Sequence, residues 1–144
     1  MSRSDNVGGA MALGIMSGTS ADGTDAALVR VERGAAPRRT TLLGLASRPY
    51  APELRRRILE AQEGTLAMRE LLALHVEVAS HSVLAAEEAL RTHRGARPVV
   101  VGYHGQTVFH DPRGARSGSP LSAQIGEPTV LARAVGCPVV SNFR

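Results

Sequence analysis

The chain has 144 residues, 43% of them hydrophobic, which excludes a disordered polar chain and sets the scale of one domain with its own core. Its formal charge is +4, from 17 basic residues, every one an Arg, against 13 acidic. With two Phe, two Tyr and no Trp, the core must be Leu, Val, Ile and Ala.

The pI near 10.5 raises a nucleic-acid reading. The basic residues are scattered, however, apart from Arg55-Arg56-Arg57, which no aromatic residue interleaves. With Glu53 and Glu60 nearby, that triplet reads as a solvated helix face. Cys137 is alone, so no internal disulfide forms and a reducing cytoplasm fits. No run approaches the roughly 20 apolar residues of a membrane helix, and the first sixteen residues make a poor signal peptide. The expectation is a cytoplasmic protein with no membrane or nucleic-acid partner.

Residues 1–10 read as a flexible tail, followed by one lobe over 11–144. A short apolar strand spans 11–17. An alternating strand over 24–32 sets Ala27, Val29 and Val31 on one face. Gly34 and Pro37 punctuate a turn over 33–39, and a third strand runs over 40–50. Such short connections predict an antiparallel meander. Pro52 opens a short helix that Gly64 ends.

Apolar or small residues recur at helical spacing from 67 to 91, which predicts a long helix. "RPVVVGYHGQT", 97–107, opens with the continuous apolar run of a buried parallel strand. Residues 110–123 read as a long Gly/Pro/Ser loop. A short helix with Pro128 near its start and a last strand over "CPVVSNF" close the chain. The resulting fold class is α/β: a ribonuclease H-like mixed sheet of three antiparallel strands, then parallel strands reached through helical crossovers.

Three stretches carry chemistry. "SGTSADGTD" interrupts the apolar strands with Gly18, Thr19, Ser20, Asp22, Gly23, Thr24 and Asp25. Glycines let backbone approach a ligand closely, successive N–H groups form an anion-binding nest, and Asp22 or Asp25 could hold Mg²⁺ beside phosphate oxygens. The residues fit an ordinary hairpin turn as well.

"GYHGQTVFHDP" places His104, Gln106, Thr107, His110 and Asp111 at the carboxyl end of a parallel strand, where open α/β sheets bind ligands. A polar loop with satisfied hydrogen bonds fits it equally. "AQIGEP" sets Gly126 and Glu127 before a helix, where N–H groups can receive an anion or simply open the helix. His75 and Cys137 read as core residues.

Together "GIMSGTSADGTDAAL", "GYHGQTVFHDP" and "QIGEPTVLARAVGCPVVSNFR" resemble the 1,6-anhydro-N-acetylmuramic acid kinase family, over nearly all of residues 12–144. The resemblance implies the first lobe of an actin-like ATPase fold. It implies opening of the 1,6-anhydro bond of the sugar by water, and phosphorylation of O6 from ATP with Mg²⁺, in murein recycling.

Carried onto this chain, Gly18, Thr19, Ser20, Ala21, Asp22, Gly23, Thr24 and Asp25 form the ATP phosphate loop, with Asp22 toward the metal. His104, Gln106 and Thr107 lie toward the sugar. The chain departs from the family pattern in having Ala21 where Leu or Met is usual and Asn142 where Asp is usual. Family members are more than twice as long, so the expectation is a fragment or incomplete gene product. The family's catalytic Asp lies beyond residue 144, and the chain by itself is expected to be inactive. Apolar surface left at residues 130–143 would favour pairing with another copy. The rival reading is a non-catalytic nucleotide-binding or interaction module.

Overall fold

The computed structural model describes residues 9–32, 34, 39–116 and 118–143. Three strands, β1 (Ala10–Ser17), β2 (Gly23–Val31) and β3 (Thr40–Pro49), form the antiparallel meander that the short connections dictate. β1 begins inside the span read as a tail; the rest of that span, and most of the turn over 33–39, lies outside the described residues. Helices α1 (Pro52–Glu63) and α2 (Met68–Arg91) carry the chain across to β4 (Val100–Asp111). β5 (Leu121–Ile125), α3 (Pro128–Val135) and β6 (Val139–Ser141) follow.

The strands form one open mixed sheet, ordered β3-β2-β1-β4-β5, with β6 also on β4. β4 runs parallel to β1 and to β6, and antiparallel to β5. β5 and β6 share the far edge of β4, with β6 along Val101–Tyr103 and β5 along Gln106–Asp111. The α/β class and the mixed sheet match the expected lobe of an actin-like ATPase fold.

The chain order expected from sequence lacked β5. The span 110–123 is not one loop, because β4 runs on to Asp111 and Leu121–Ala123 pair back onto it. "LSAQI" alternates apolar and polar residues, but over only five positions inside a Gly/Pro/Ser context. Its pairing with β4 supplies what its own propensity does not.

One sheet face lies under the helices. Leu13, Ile15, Ala26, Leu28, Val101 and Tyr103 meet Ala85, Ala86 and Ala89 of α2 and Leu131 of α3 there. Each fully buried Leu or Ile contributes on the order of 1.5–3 kcal/mol. On β2 this face is Thr24, Ala26 and Leu28, while Ala27 and Val29 on the opposite face are only half-buried. The helical stripe read over 67–91 needs one adjustment: Leu74 is fully buried, whereas Met68 and Leu72 are exposed.

A second cluster gathers Ala21, Tyr50, Leu54, Ile58, Leu74, Val78, Val108 and Ile125. It lies beneath the β1–β2 connection and gives that turn a solid floor. The other sheet face exposes Met16, Leu45, Val140 and Phe143. Among the described residues no helix is long and apolar enough to cross a membrane.

The three arginines of α1 each meet a carboxylate. Arg56 pairs with Glu53 and Glu60, Arg57 with Glu77, and Arg55 with Asp22 at 3.6 Å. Cys137 is half-buried against the main core, and burial pushes its thiol pKa up.

Candidate functional site

β1 ends at Ser17 and β2 restarts at Gly23, so residues 18–22 form the exposed turn read as a phosphate loop. Gly18, Thr19, Ser20 and Asp22 are exposed, while Ala21 is buried at φ +54°. Ala21 is 0% exposed within the second core cluster and its N–H donates to the Gly18 carbonyl at 3.3 Å, so this residue offers a ligand no accessible group. Thr24 is also buried. Asp25 is exposed on β2, where Ser47 donates a hydrogen bond to its Oδ1 at 2.5 Å. The Asp22 side chain is 74% exposed.

The β4 motif does not lie in a loop beyond a strand, as its polar composition suggested. It lies inside β4, where a bulge reshapes it. The β1–β4 register runs Ile15 to Tyr103, then Ser17 to Gln106, so β4 carries one extra residue. Gly105 absorbs it at φ +73°, where a Cβ would stand 2.5 Å from the Ile125 carbonyl oxygen. Bulges re-aim side chains next to functional turns. Here residues 105–108 are buried in succession, and Gln106 turns in beneath the β1–β2 connection.

Gln106 is fully buried and every polar atom of its amide is engaged. Its Nε2 donates to the carbonyls of Gly18 at 2.9 Å and Thr107 at 3.0 Å. Its Oε1 lies 2.6 Å from Ser17 Oγ. Ser17 Oγ also lies 2.6 Å from the Gly23 carbonyl oxygen, and it accepts from the Tyr50 hydroxyl at 3.1 Å. Thr24 Oγ1 donates to that hydroxyl at 3.2 Å. Burial, only partly offset by these two hydroxyl partners, raises the Tyr50 pKa.

A second amide repeats the pattern. Gln62 of α1 donates from Nε2 to the Thr19 carbonyl at 2.9 Å and the Thr107 carbonyl at 3.0 Å. The Tyr50 N–H takes the Asp22 carbonyl at 3.0 Å. In a trans peptide the N–H points opposite to the preceding C=O. With the Gly18 and Thr19 carbonyls drawn inward, the Thr19 and Ser20 N–H groups face outward.

Cavities flank the turn on both sides. One, of about 380 Å³, is lined by Gly18, Ser20, Asp22, Asp25, Ser47 and Arg48. The other, of about 410 Å³, lies between Gly18, Thr19, His104 and Phe143. Of the three residues read as sugar-facing, His104 and Thr107 line this second cavity, Thr107 from a buried position, whereas Gln106 is fully buried and does not line it. Among the described residues no three His, Cys, Asp or Glu side chains converge into a metal cage. A cation at Asp22 would therefore need ligands from phosphate and water, the arrangement Mg²⁺ favours.

The turn before α3 is built differently. Gly126 N–H donates to His75 Nδ1 at 3.0 Å, and Glu127 N–H donates to the His75 carbonyl at 3.1 Å. The Glu127 carboxylate accepts from Thr129 N–H at 3.0 Å and Thr129 Oγ1 at 2.7 Å. These two bonds, Thr129 N–H foremost, and one from His75 hold its pKa below the usual carboxylate value. The helix start thus supplies its own anion, which favours the helix-opening reading of Gly126 and Glu127 over the anion-receiving one. His75 joins helix to turn, from a half-buried position and not from the core as its place on the helical stripe suggested.

Sequence reasoning missed Gln62, Tyr50 and the inward role of Gln106. Gln62 carries no motif signal, because nothing in the order of residues says that α1 returns under residue 19.

The model of the anhydro-N-acetylmuramic acid kinase family matches residues 10–144. An anhydro-N-acetylmuramic acid kinase of Gloeothece citriformis is 40% identical over 139 residues, covering 92% of this chain and 35% of the relative. One of Synechococcus elongatus is 38% identical over 133 residues, covering 92% and 34%. One of Gluconobacter oxydans is 38% identical over 137 residues, covering 92% and 36%. The chain thus spans about a third of the length of the curated relatives it matches, 34–36% for these three.

Proposed function

The chain belongs to the anhydro-N-acetylmuramic acid kinase family, and we propose that it supplies the ATP phosphate-binding part of such a kinase. In this reading the complete enzyme opens 1,6-anhydro-N-acetylmuramic acid with water and phosphorylates O6 from Mg·ATP. The product is N-acetylmuramic acid 6-phosphate, formed in cytoplasmic murein recycling. The observation that carries the reading is the β1–β2 turn, whose Gly18 and Thr19 carbonyls are pinned inward by Gln106 and Gln62.

Outward N–H groups suit a polyphosphate. The exposed carboxylates of Asp22 and Asp25, on the same turn and strand, suit a hydrated Mg²⁺. When bound, Mg²⁺ would neutralise phosphate charge. Arg55, now 3.6 Å from Asp22, is near enough to the turn to meet a phosphate oxygen. His104 faces the neighbouring cavity, where the sugar would lie.

Opening the anhydro bond needs a base on water. Asp22 and Asp25 serve the cation in this scheme, so the base comes from the part of the relatives that this chain does not span.

The test is a chimera. This chain replaces the corresponding part of the Gluconobacter oxydans relative, and turnover of the anhydro-sugar with Mg·ATP is followed by a coupled assay. Turnover that falls at least tenfold on Asp22→Asn is expected. A folded chimera that binds neither Mg·ATP nor sugar would sink the proposal.

A further inference from the structure

The carbonyl of Thr107 is the point from which the site is built. Two side-chain amides straddle it. Gln106 bridges Thr107 to Gly18, and Gln62 bridges Thr107 to Thr19. The β4–β5 register shifts between Thr107 and Phe109, which accompanies this break from a plain ladder. The Gly105 bulge then aims Gln106 inward. Behind Gln106 runs a buried chain of hydroxyls, Thr24 to Tyr50 to Ser17 to Gln106 Oε1.

We propose that Gln106, seconded by Gln62, is a positioning residue that fixes the β1–β2 turn with its carbonyls inward and the Thr19 and Ser20 N–H groups outward. The inference rests on the phosphate-loop reading for its purpose, not for its geometry. Gln106 is 0% exposed, so it acts without touching a ligand. A buried amide with both ends engaged imposes one orientation, since any other leaves a donor or acceptor unpaired. An anion site gains affinity when its donors need no rearrangement.

The test uses the 144-residue chain, ¹⁵N relaxation of residues 18–20, and Mg·ATP calorimetry. In the wild type the order parameters of Thr19 and Ser20 should sit near the rigid value of about 0.85. Gln106→Met should bring them below about 0.6 and weaken Mg·ATP about tenfold, one hydrogen bond's equivalent. Gln62→Leu, at a half-buried surface position of α1, should loosen Thr19 and Ser20 to a smaller degree. It also decides the matter if Gln106→Met fails to fold.

Gln106→Glu adds a readout that a merely structural role would not move. Protonated, the new carboxyl can still donate to the Gly18 carbonyl; ionised, it repels it. Turn order in this variant should therefore fall as pH rises through the new group's titration, which burial shifts upward. The ionisable groups nearby are Tyr50 beyond Ser17, Asp22 with Arg55 on the turn, and His104 on β4. All are present in both proteins, so the difference from wild type isolates residue 106.

Unchanged order parameters in both Gln106→Met and Gln62→Leu would overturn the proposal. So would lost order with undiminished Mg·ATP affinity in a chain that binds the nucleotide. Lost order in a chain whose wild type does not take up Mg·ATP would uphold the positioning role, and the chimera would then decide the nucleotide reading.

Discussion

Two turns of this molecule have nearly the same ingredients and opposite construction. Residues 18–25 and residues 126–129 both join Gly, a carboxylate and Thr beside the sheet. In the first, the inward groups are carbonyls, held by side-chain amides of Gln106 and Gln62. In the second, the N–H groups of Gly126, Glu127 and Thr129 are spent on His75 and on Glu127 itself. Turn composition therefore does not make an anion site. The partners decide whether donors are left over, as they are where side-chain amides take the carbonyls.

The largest expected contrast is between the two glycines. A Cβ at Gly126, whose φ is +127°, would stand 2.0 Å from the hydroxyl oxygen of buried Tyr103. Gly126→Ala should cost about 2–4 kcal/mol, from overpacking plus a backbone conformation that L residues avoid. A Cβ at Gly18 meets nothing nearer than Ser20 Oγ at 3.5 Å. Gly18→Ala should change stability by no more than about 0.5 kcal/mol, as surface substitutions do, while obstructing the approach of a phosphate. Urea denaturation of both variants checks this. Equal losses would mean that the first turn is as tightly locked as the second.

His75 sharpens the contrast next. Its Nδ1 accepts from Gly126 N–H, so the ring proton sits on Nε2 and is donated to Glu127 at 3.2 Å. His75→Ala should destabilise the chain by about 1–2 kcal/mol through the half-buried N–H left without a partner. It should leave Mg·ATP affinity as it was, because His75 touches neither cavity at the β1–β2 turn. Lost affinity in calorimetry would show that the two turns are coupled.

Much of the architecture was legible beforehand. Short connections after 17 and 31 required antiparallel strands, the helical period over 67–91 required α2, and the apolar run before Gly102 required a buried parallel strand. β5 was not legible, because its five residues earn their strand only by pairing with β4. The loop at 18–25 stood out by composition, yet which of its residues could serve a ligand did not. Ala21 and Thr24 face the core while Asp22 and Asp25 face outward, and that division follows from packing on Tyr50 and Ile58. Gln106 was read as sugar-facing from the family resemblance alone, which says nothing of the local strand register. The bulge at Gly105 turns it beneath the β1–β2 connection, and no propensity announces which glycine will bulge.

The smallest effect tests whether the second turn truly occupies its own donors. Glu127 holds its carboxylate below the usual value of 4.5, chiefly through Thr129 N–H. A carboxyl depressed in the folded state contributes stability in full above its unfolded value, and loses it as pH falls through the folded one. Glu127→Gln keeps an acceptor oxygen for Thr129 and removes the charge. At neutral pH the variant should be slightly less stable than the wild type, since an anion at a helix start outranks a neutral cap. As pH drops below about 4.5 the wild type should lose that advantage, so their urea midpoints should converge. His75, 3.2 Å from the carboxylate, loses its anionic partner in the variant, so the difference read is that of residue 127 together with its His75 contact. Midpoints that keep a constant separation down the acid range would mean that the carboxylate is not bonded to Thr129 in solution. The donors at the start of α3 would then be open, and the contrast between the two turns would fail.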